Sequence, residues 1–198
     1  MGRNSLLIRF PEEVGFMRVI AGKSKGHNLR SISGTEVRPT IDRVKEALFN
    51  ILGPEIIDID FLDLYAGFGG LGIEALSRGA ASSTFIDNSA RQIGIIEENL
   101  KLTGLEQQAE VIQGDVLTQL GRFTPQSFDI IVMDPPYQAG LLEPTIEKIM
   151  QYDLLKEAGI ISVEHHKQDE IAIEFDNLEL IRERDYGNTC LSLYMKGD

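Results

Sequence analysis

A doubly wound, mostly parallel α/β sheet, preceded by a small β-hairpin and closed by a C-terminal antiparallel hairpin, is the fold class this sequence predicts. Three observations predict it. From residue 56 onward, short apolar runs alternate with helix-like segments, and each run ends on a glycine or an acid. A G-x-G-x-x-G pattern, formed by Gly67, Gly69 and Gly72, follows the first of these runs. Near the end, "LELIRERDYGNTCLSLYMK" is two strand-like runs joined through Tyr186-Gly187-Asn188, a turn that favours antiparallel pairing.

In chain order, residues 1–16 form a leader with only a short apolar patch and with Glu12 and Glu13, a poor signal peptide. "MRVIAG" and "HNLRSIS" alternate apolar and polar residues around the basic loop "KSKGH", which predicts a hairpin. "RPTIDRVKEALFNIL" predicts a helix, with Thr40 or Asp42 as its cap and Val44, Leu48 and Ile51 on one face. These segments make residues 17–52 a basic hairpin and helix, and residues 53–198 the main domain. The predicted strands of that domain are "DFLDLYA", "SSTFIDN", "AEVIQGD", "FDIIVMD" and "GIISVEH". Between them helices are predicted at about 71–78, 89–103, 114–121 and 141–152.

With 198 residues, 42% of them hydrophobic, the chain is long enough for one compact domain with its own core. It contains no run of about 18 apolar residues, so no transmembrane helix is predicted and a cytoplasmic location is expected. The single cysteine, Cys190, has no internal disulfide partner, and His27, His165 and His166 show no metal-ligand spacing. A monomer is the default expectation. The net charge of −12 argues against a nucleic-acid partner until its distribution is considered. Residues 1–50 carry nine Lys/Arg against five Asp/Glu, while the remainder carries ten against twenty-six. An acidic body with a basic arm (Arg18, Lys23, Lys25, Arg30, Arg38, Arg43 and Lys45) fits a nucleic-acid partner as well as it fits a plain solvated face.

Four acids close successive strands in register: Asp63, Asp87, Asp115 and Asp134. The carboxyl ends of parallel strands are where open α/β sheets bind ligands. Glycines allow close approach to the backbone, and Asp87, twenty residues after Gly67, is placed to accept from ribose hydroxyls. That much suits a nicotinamide or an adenosyl cofactor equally. Asp63, four residues before Gly67, is poorly placed beside a pyrophosphate and well placed beside a cation such as a sulfonium with its ammonium. Asp115 lies within reach of an adenine amino group.

Asp134-Pro135-Pro136-Tyr137 is a stiff, non-helical strand exit. The lone pair of a nucleobase amino group is delocalised into the ring, which makes it a poor nucleophile. Hydrogen bonds from it to the Asp134 carboxylate and the Pro135 carbonyl would orient it and raise its electron density. Tyr137 offers a stacking face, worth about 1–3 kcal/mol per base. The prolines fix this geometry in advance.

"DPPY" with "DLYAGFGGLG" resembles the class I, Rossmann-like S-adenosylmethionine-dependent methyltransferases that act on base amino groups. "MRVIAGKSKGHNL", "RPTIDRVKEALFN" and "YAGFGGLGIEALSRGA" are similar to the RsmD-type 16S ribosomal RNA guanine-N2 methyltransferases, over roughly residues 17–195. The resemblance implies that Ala66, Gly67 and Gly69 line the methionine part of the cofactor, Asp87 and Asn88 the ribose, and Asp115 and Val116 the adenine. It places Arg38 and Thr40 by the cofactor's carboxylate end, and Arg18, Lys23, Lys25, Arg30 and Arg43 toward RNA. It implies S-adenosylmethionine as cofactor and small-subunit ribosomal RNA, or the assembling 30S subunit, as partner. Three rival readings remain: a DNA adenine-N6 methyltransferase, an NAD-dependent oxidoreductase, and a non-catalytic cofactor-binding assembly factor.

Overall fold

The computed structural model describes residues 17–31, 39–137, 139–169 and 177–197. The leader 1–16 and Arg38 lie outside the described residues, and of residues 39–42 only the backbone is described. A short antiparallel pair, β1 (Met17–Arg18) and β2 (Asn28–Leu29), precedes helix α1 (Pro39–Leu52). The helix starts at Pro39, so Thr40 and Asp42 lie inside its first turn and do not cap it. Proline suits the first helical position, because its φ is already helical and the N–H it lacks would have had no partner.

The main sheet then builds as β3 (Asp60–Leu64), α2 (Gly70–Arg78), β4 (Ser82–Asp87), α3 (Ala90–Thr103) and β5 (Ala109–Gln113). It continues through α4 (Val116–Gln119), β6 (Phe128–Met133), α5 (Leu142–Gln151), β7 (Leu155–His166), β8 (Leu178–Tyr186) and β9 (Thr189–Lys196). The seven strands run in the order β5-β4-β3-β6-β7-β9-β8. The first five are parallel, and β9 pairs antiparallel with both β7 and β8. The strand order reverses between β3 and β6, so the site expected from sequence sits at the topological switch point. Two elements differ from expectation. The helix expected over 114–121 is four residues of α-helix followed by a 3-10 turn, because Asp115 caps it at Val116. The strand expected from Gly159 begins at Leu155 and bulges at Ala158, whose φ is 56°, before regaining register with β6.

Strand alternation gives the sheet two apolar faces. Phe61, Phe85, Ile130 and Val132 pack with Val44, Leu48 and Phe49 of α1 and with Ile73 and Leu76 of α2. Leu62, Leu64, Ile86, Ile131 and Met133 pack with Ile146 and Ile149 of α5. Helices thus cover both sides, as a doubly wound sheet requires.

The N-terminal hairpin is clamped to this body by buried polar groups. Glu74 of α2, fully buried, accepts from the amides of Ile20 (2.8 Å) and Ala21 (3.0 Å) and from Arg78 Nε (2.7 Å). Lys45 Nζ lies 3.8 Å from Glu74 and donates to the Arg18 carbonyl at 2.8 Å. Lys45 is 1% exposed, so this member of the basic arm is a structural cation and not part of a charged face. Asn99 of α3, also fully buried, joins the hairpin to the glycine loop: its amide nitrogen donates to the carbonyls of Arg30 and Phe68, each at 3.0 Å, and its oxygen accepts from the Arg30 amide at 2.7 Å. Among the described residues, no helix is long and apolar enough to cross a membrane.

Candidate active site at the carboxyl ends of the strands

After Leu64 the chain reverses through Tyr65 (φ 58°), Gly67 (φ 56°) and Gly69 (φ 81°). Tyr65 holds a left-handed backbone without being glycine, a strained state that persists only where the surroundings impose it. Its hydroxyl is fixed to Thr145 Oγ1 of α5 at 2.7 Å. Gly67 borders open space, since a Cβ built there meets nothing within 4 Å. Gly72 serves packing instead. A Cβ there would sit 2.3 Å from Phe85 Cε1 and 2.6 Å from Ser83 Oγ, and the Phe85 ring is fully buried and has nowhere to go. Gly72→Ala should therefore overpack the α2–β4 contact and cost about 1–3 kcal/mol, read as a lower urea midpoint at unchanged slope. An unaltered midpoint would contradict this packing account.

The four strand-end acids lie on four adjacent strands, but they are staggered, not in register. Asp63 pairs with Phe85 and Val132, two positions before the level of Asp87 and Asp134, and Asp115 lies two positions beyond the end of β5. Asp63, Asp87 and Asp134 share one face of the sheet, as an even offset demands. Asp63 is buried and accepts from the Gly72 amide at 2.9 Å. Burial pushes its carboxyl up to about 8 against the pull of that hydrogen bond, and the charges of Asp134 and Asp87 push the same way. Asp87 accepts from the amides of Gly67 and Ser89, both at 2.9 Å, which ties the glycine loop to the end of β4. Asp115 is exposed, and its Oδ1 accepts from Thr118 N and Thr118 Oγ1 at 2.9 and 2.8 Å.

Asp134 follows β6 directly. It is accessible at the rim of the site, yet the protein crowding its carboxyl raises it to about 6 by desolvation. Pro135, Pro136 and Tyr137 then line a cleft of about 390 Å³ together with Leu142, Glu164 and His165. Tyr137 is 48% exposed, stands edge-on to His166 at 6.0 Å between ring centroids, and pairs its hydroxyl with Thr189 Oγ1 at 3.4 Å. An exposed ring at the mouth of a cleft can stack on a flat ligand.

Glu164 is the site residue that sequence reasoning missed. Val132 pairs with Ser162 and Met133 with Val163, so Glu164 lies level with Asp134 on the neighbouring parallel strand. Burial raises its carboxyl to about 8, the Asp134 charge adds to the rise, and a hydrogen bond with Tyr137 opposes it. Nothing in "GIISVEHH" marks this glutamate; only the adjacency of β6 and β7 does.

The remaining predicted residues fall into two sets. Ala66, Asn88 and Val116 sit beside the glycine loop, at the end of β4 and at the start of α4, around the same strand ends. Arg18, Lys23, Lys25, Arg30 and Arg43 are all exposed on the hairpin and α1. Two of these are engaged with the body: Arg30 pairs with Glu98 at 2.6 Å and Lys23 with Gln108. His165 also belongs to a second group: with Glu183 and Cys190 it brings ligand-type atoms within 4.8 Å of one another. The Ser192 hydroxyl bridges His165 Nε2 (3.0 Å) and Glu183 (3.1 Å), so a hydrogen-bond chain already uses that space.

The family described as Conserved hypothetical protein 95 matches residues 17–195. Ribosomal RNA small subunit methyltransferase D of Haemophilus influenzae is 38% identical over 191 residues, 94% of this chain and 97% of its own. The protein of that name from Escherichia coli K12 is 36% identical over 183 residues, 92% of this chain and 91% of its own. The solved structure of the Escherichia coli protein yhhF is similar with a TM-score of 0.84 at 36% identity, over 92% of this chain and 99% of that one.

Proposed function

The chain belongs to the Conserved hypothetical protein 95 family, the RsmD-type methyltransferases, and from that premise we propose that it methylates small-subunit ribosomal RNA on the exocyclic N2 amino group of a guanine. The observation that carries the reading is the rigid Asp134-Pro135-Pro136-Tyr137 exit at the switch point, whose prolines and tyrosine line a cleft, on the strand next to the one that bears the buried Asp63.

The residues present fit S-adenosylmethionine. Asp63 and Asp87 repel each other where a cation would relieve the repulsion, and Gly67 leaves open the space that a side chain would fill. When bound, S-adenosylmethionine supplies an electrophilic methyl group on a sulfonium. Asp63 and Asp87 hold the loop that would meet the cofactor, through Gly72 and Gly67 respectively. Asn88, Asp115 and Val116 take its nucleoside end, and Arg38 and Thr40 its carboxylate. Asp134 and the Pro135 carbonyl accept from the two amino hydrogens of the target and point its nitrogen into the site. Tyr137 stacks on the base, which must first leave its own stack at a cost of a few kcal/mol. The exposed cations Arg18, Lys25 and Arg43, with Lys23 and Arg30, take RNA phosphates; residues 17–52 thereby act as the RNA-binding arm.

The test incubates the protein with labelled S-adenosylmethionine and, in parallel, protein-free small-subunit RNA, assembled small subunits and duplex DNA. Label in RNA, recovered as N2-methylguanine on nucleoside analysis, is expected. Label confined to DNA, or recovered on adenine, would defeat the proposal.

A pH dependence follows from Asp134. The ionised carboxylate is the stronger acceptor and the form that raises the electron density of the amino nitrogen, and burial raises its pKa to about 6. The acceptor is thus present above that value and lost as pH falls through it. The kcat/KM for RNA should fall about tenfold per unit on the acid side, and Asp134→Asn should flatten that limb.

A further inference from the structure

Among the carboxyls that line the cleft, Glu164 is level with Asp134 on the neighbouring strand, and neither the glycine loop nor the Asp-Pro-Pro-Tyr exit accounts for it. We infer that Glu164 is the residue that selects guanine, accepting the N1–H of the target base while Asp134 accepts from the neighbouring N2 amino group. This rests on the guanine-N2 reading above and deepens it.

The argument begins with register. Adjacent parallel strands lie about 4.8 Å apart, and residues on one level point the same way. Glu164 and Asp134 occupy one level of β7 and β6, one step past the last paired residues Met133 and Val163. Two carboxyl groups therefore stand side by side on neighbouring strands, Glu164 lining the cleft and Asp134 directly preceding Pro135, Pro136 and Tyr137, which line it too. On the Watson–Crick edge of guanine, N1–H and N2–H₂ are adjacent donors pointing the same way. Adenine offers one amino donor next to an N1 lone pair. A pair of neighbouring oxygen acceptors complements the first edge and faces the lone pair of the second. The protein holds these two acids together at a cost: each is raised well above the ordinary carboxylate range, burial being the main cause. Two close carboxyls that resist carrying charge together still present acceptor oxygens, and a ligand rich in donors satisfies both. Tyr137 hydrogen-bonds Glu164 and is the candidate stacking ring, so the reader and the platform share one contact.

The experiment measures kcat/KM on two RNAs that carry either guanine or 2-aminopurine at the target position. Both bases present the N2 amino group, but 2-aminopurine has a bare N1 lone pair in place of N1–H. The quantity read is the guanine to 2-aminopurine ratio in wild type, Glu164→Ala and Glu164→Gln, so the intrinsic reactivity of each amine cancels. Loss of one base-edge contact typically changes preference about ten- to hundredfold, and Glu164→Ala should lower the ratio by that much. Glu164→Gln, whose amide oxygen still accepts, should keep the ratio within about threefold of wild type. Thermal melting controls for folding: removing a desolvated acid should not lower Tm. A ratio in Glu164→Ala equal to wild type overturns the inference, as does a Glu164→Gln ratio that collapses equally far. A wild-type enzyme that modifies neither RNA overturns the guanine-N2 reading itself, and this inference with it.

Discussion

Replacing Asp134 with alanine should abolish methyl transfer while leaving cofactor binding intact, with kcat reduced about 10³-fold and S-adenosylmethionine affinity within about threefold of wild type. The two effects separate because of where the residue sits. The groups that hold the glycine loop are Asp63, through the Gly72 amide, and Asp87, through the amides of Gly67 and Ser89. None of these contacts involves Asp134, which directly follows β6 and precedes the two prolines that line the cleft. Truncation removes an acceptor needed only when the amino nitrogen attacks, so the loss falls on turnover. Asp134→Asn keeps one acceptor oxygen but turns a donor toward the amine, and its rate should lie between the two. Titration calorimetry with the cofactor and single-turnover transfer to RNA give the two numbers. A variant within tenfold of wild-type turnover would mean that Asp134 does not touch the reacting nitrogen; parallel loss of cofactor affinity would make it a binding residue.

How much of this site was legible in the sequence depends on whether a residue's role is set by its own strand or by a neighbour. Asp63, Gly67, Gly69 and Asp87 follow from strand-loop-helix grammar within one βαβ unit, and the structure brings them together at the end of β3 and β4. Asp134 follows from the two prolines after an apolar run. Their stagger did not show, because register is a property of pairs: Asp63 lies two positions short of the others only through its pairing with Phe85 and Val132. Glu164 escaped for the same reason, since it becomes a site residue only because β7 docks beside β6. Lys45 failed in the opposite direction. Counted by charge it joins the basic arm, but the helical spacing that buries Val44 and Leu48 also turns Lys45 inward, toward a glutamate 29 positions away in sequence. Charge composition reports how many cations there are, not which of them face water.

That buried pair carries the largest expected effect on stability. Glu74→Ala should lower unfolding free energy by about 3–5 kcal/mol, a large fraction of the 5–15 kcal/mol typical of such a domain. The side chain is wholly buried, accepts from the amides of Ile20 and Ala21 and from Arg78 Nε, and stands 3.8 Å from the Lys45 ammonium, itself 1% exposed. Removing it takes one carboxylate away from a buried ammonium and leaves two amides without their acceptor. Both penalties are desolvation costs and cannot be recovered by water at a site this closed. Glu74→Gln preserves acceptor geometry but not charge, and should lose less. The double variant Glu74→Met/Lys45→Met separates cause from consequence: if an uncompensated charge is the fault, pairing two apolar side chains should recover most of the loss, although the backbone amides still go unmatched. Function should follow the same order. Glu74 holds Ile20 and Ala21, and Asn99 holds Arg30, so loosening the glutamate should free the loop that carries Lys23 and Lys25 and raise KM for RNA more than it changes cofactor affinity. Urea denaturation gives the first result and steady-state kinetics the second; an alanine variant as stable as wild type would show that the hairpin is held without Glu74, by Asn99 and the apolar contacts of Val19 and Leu29.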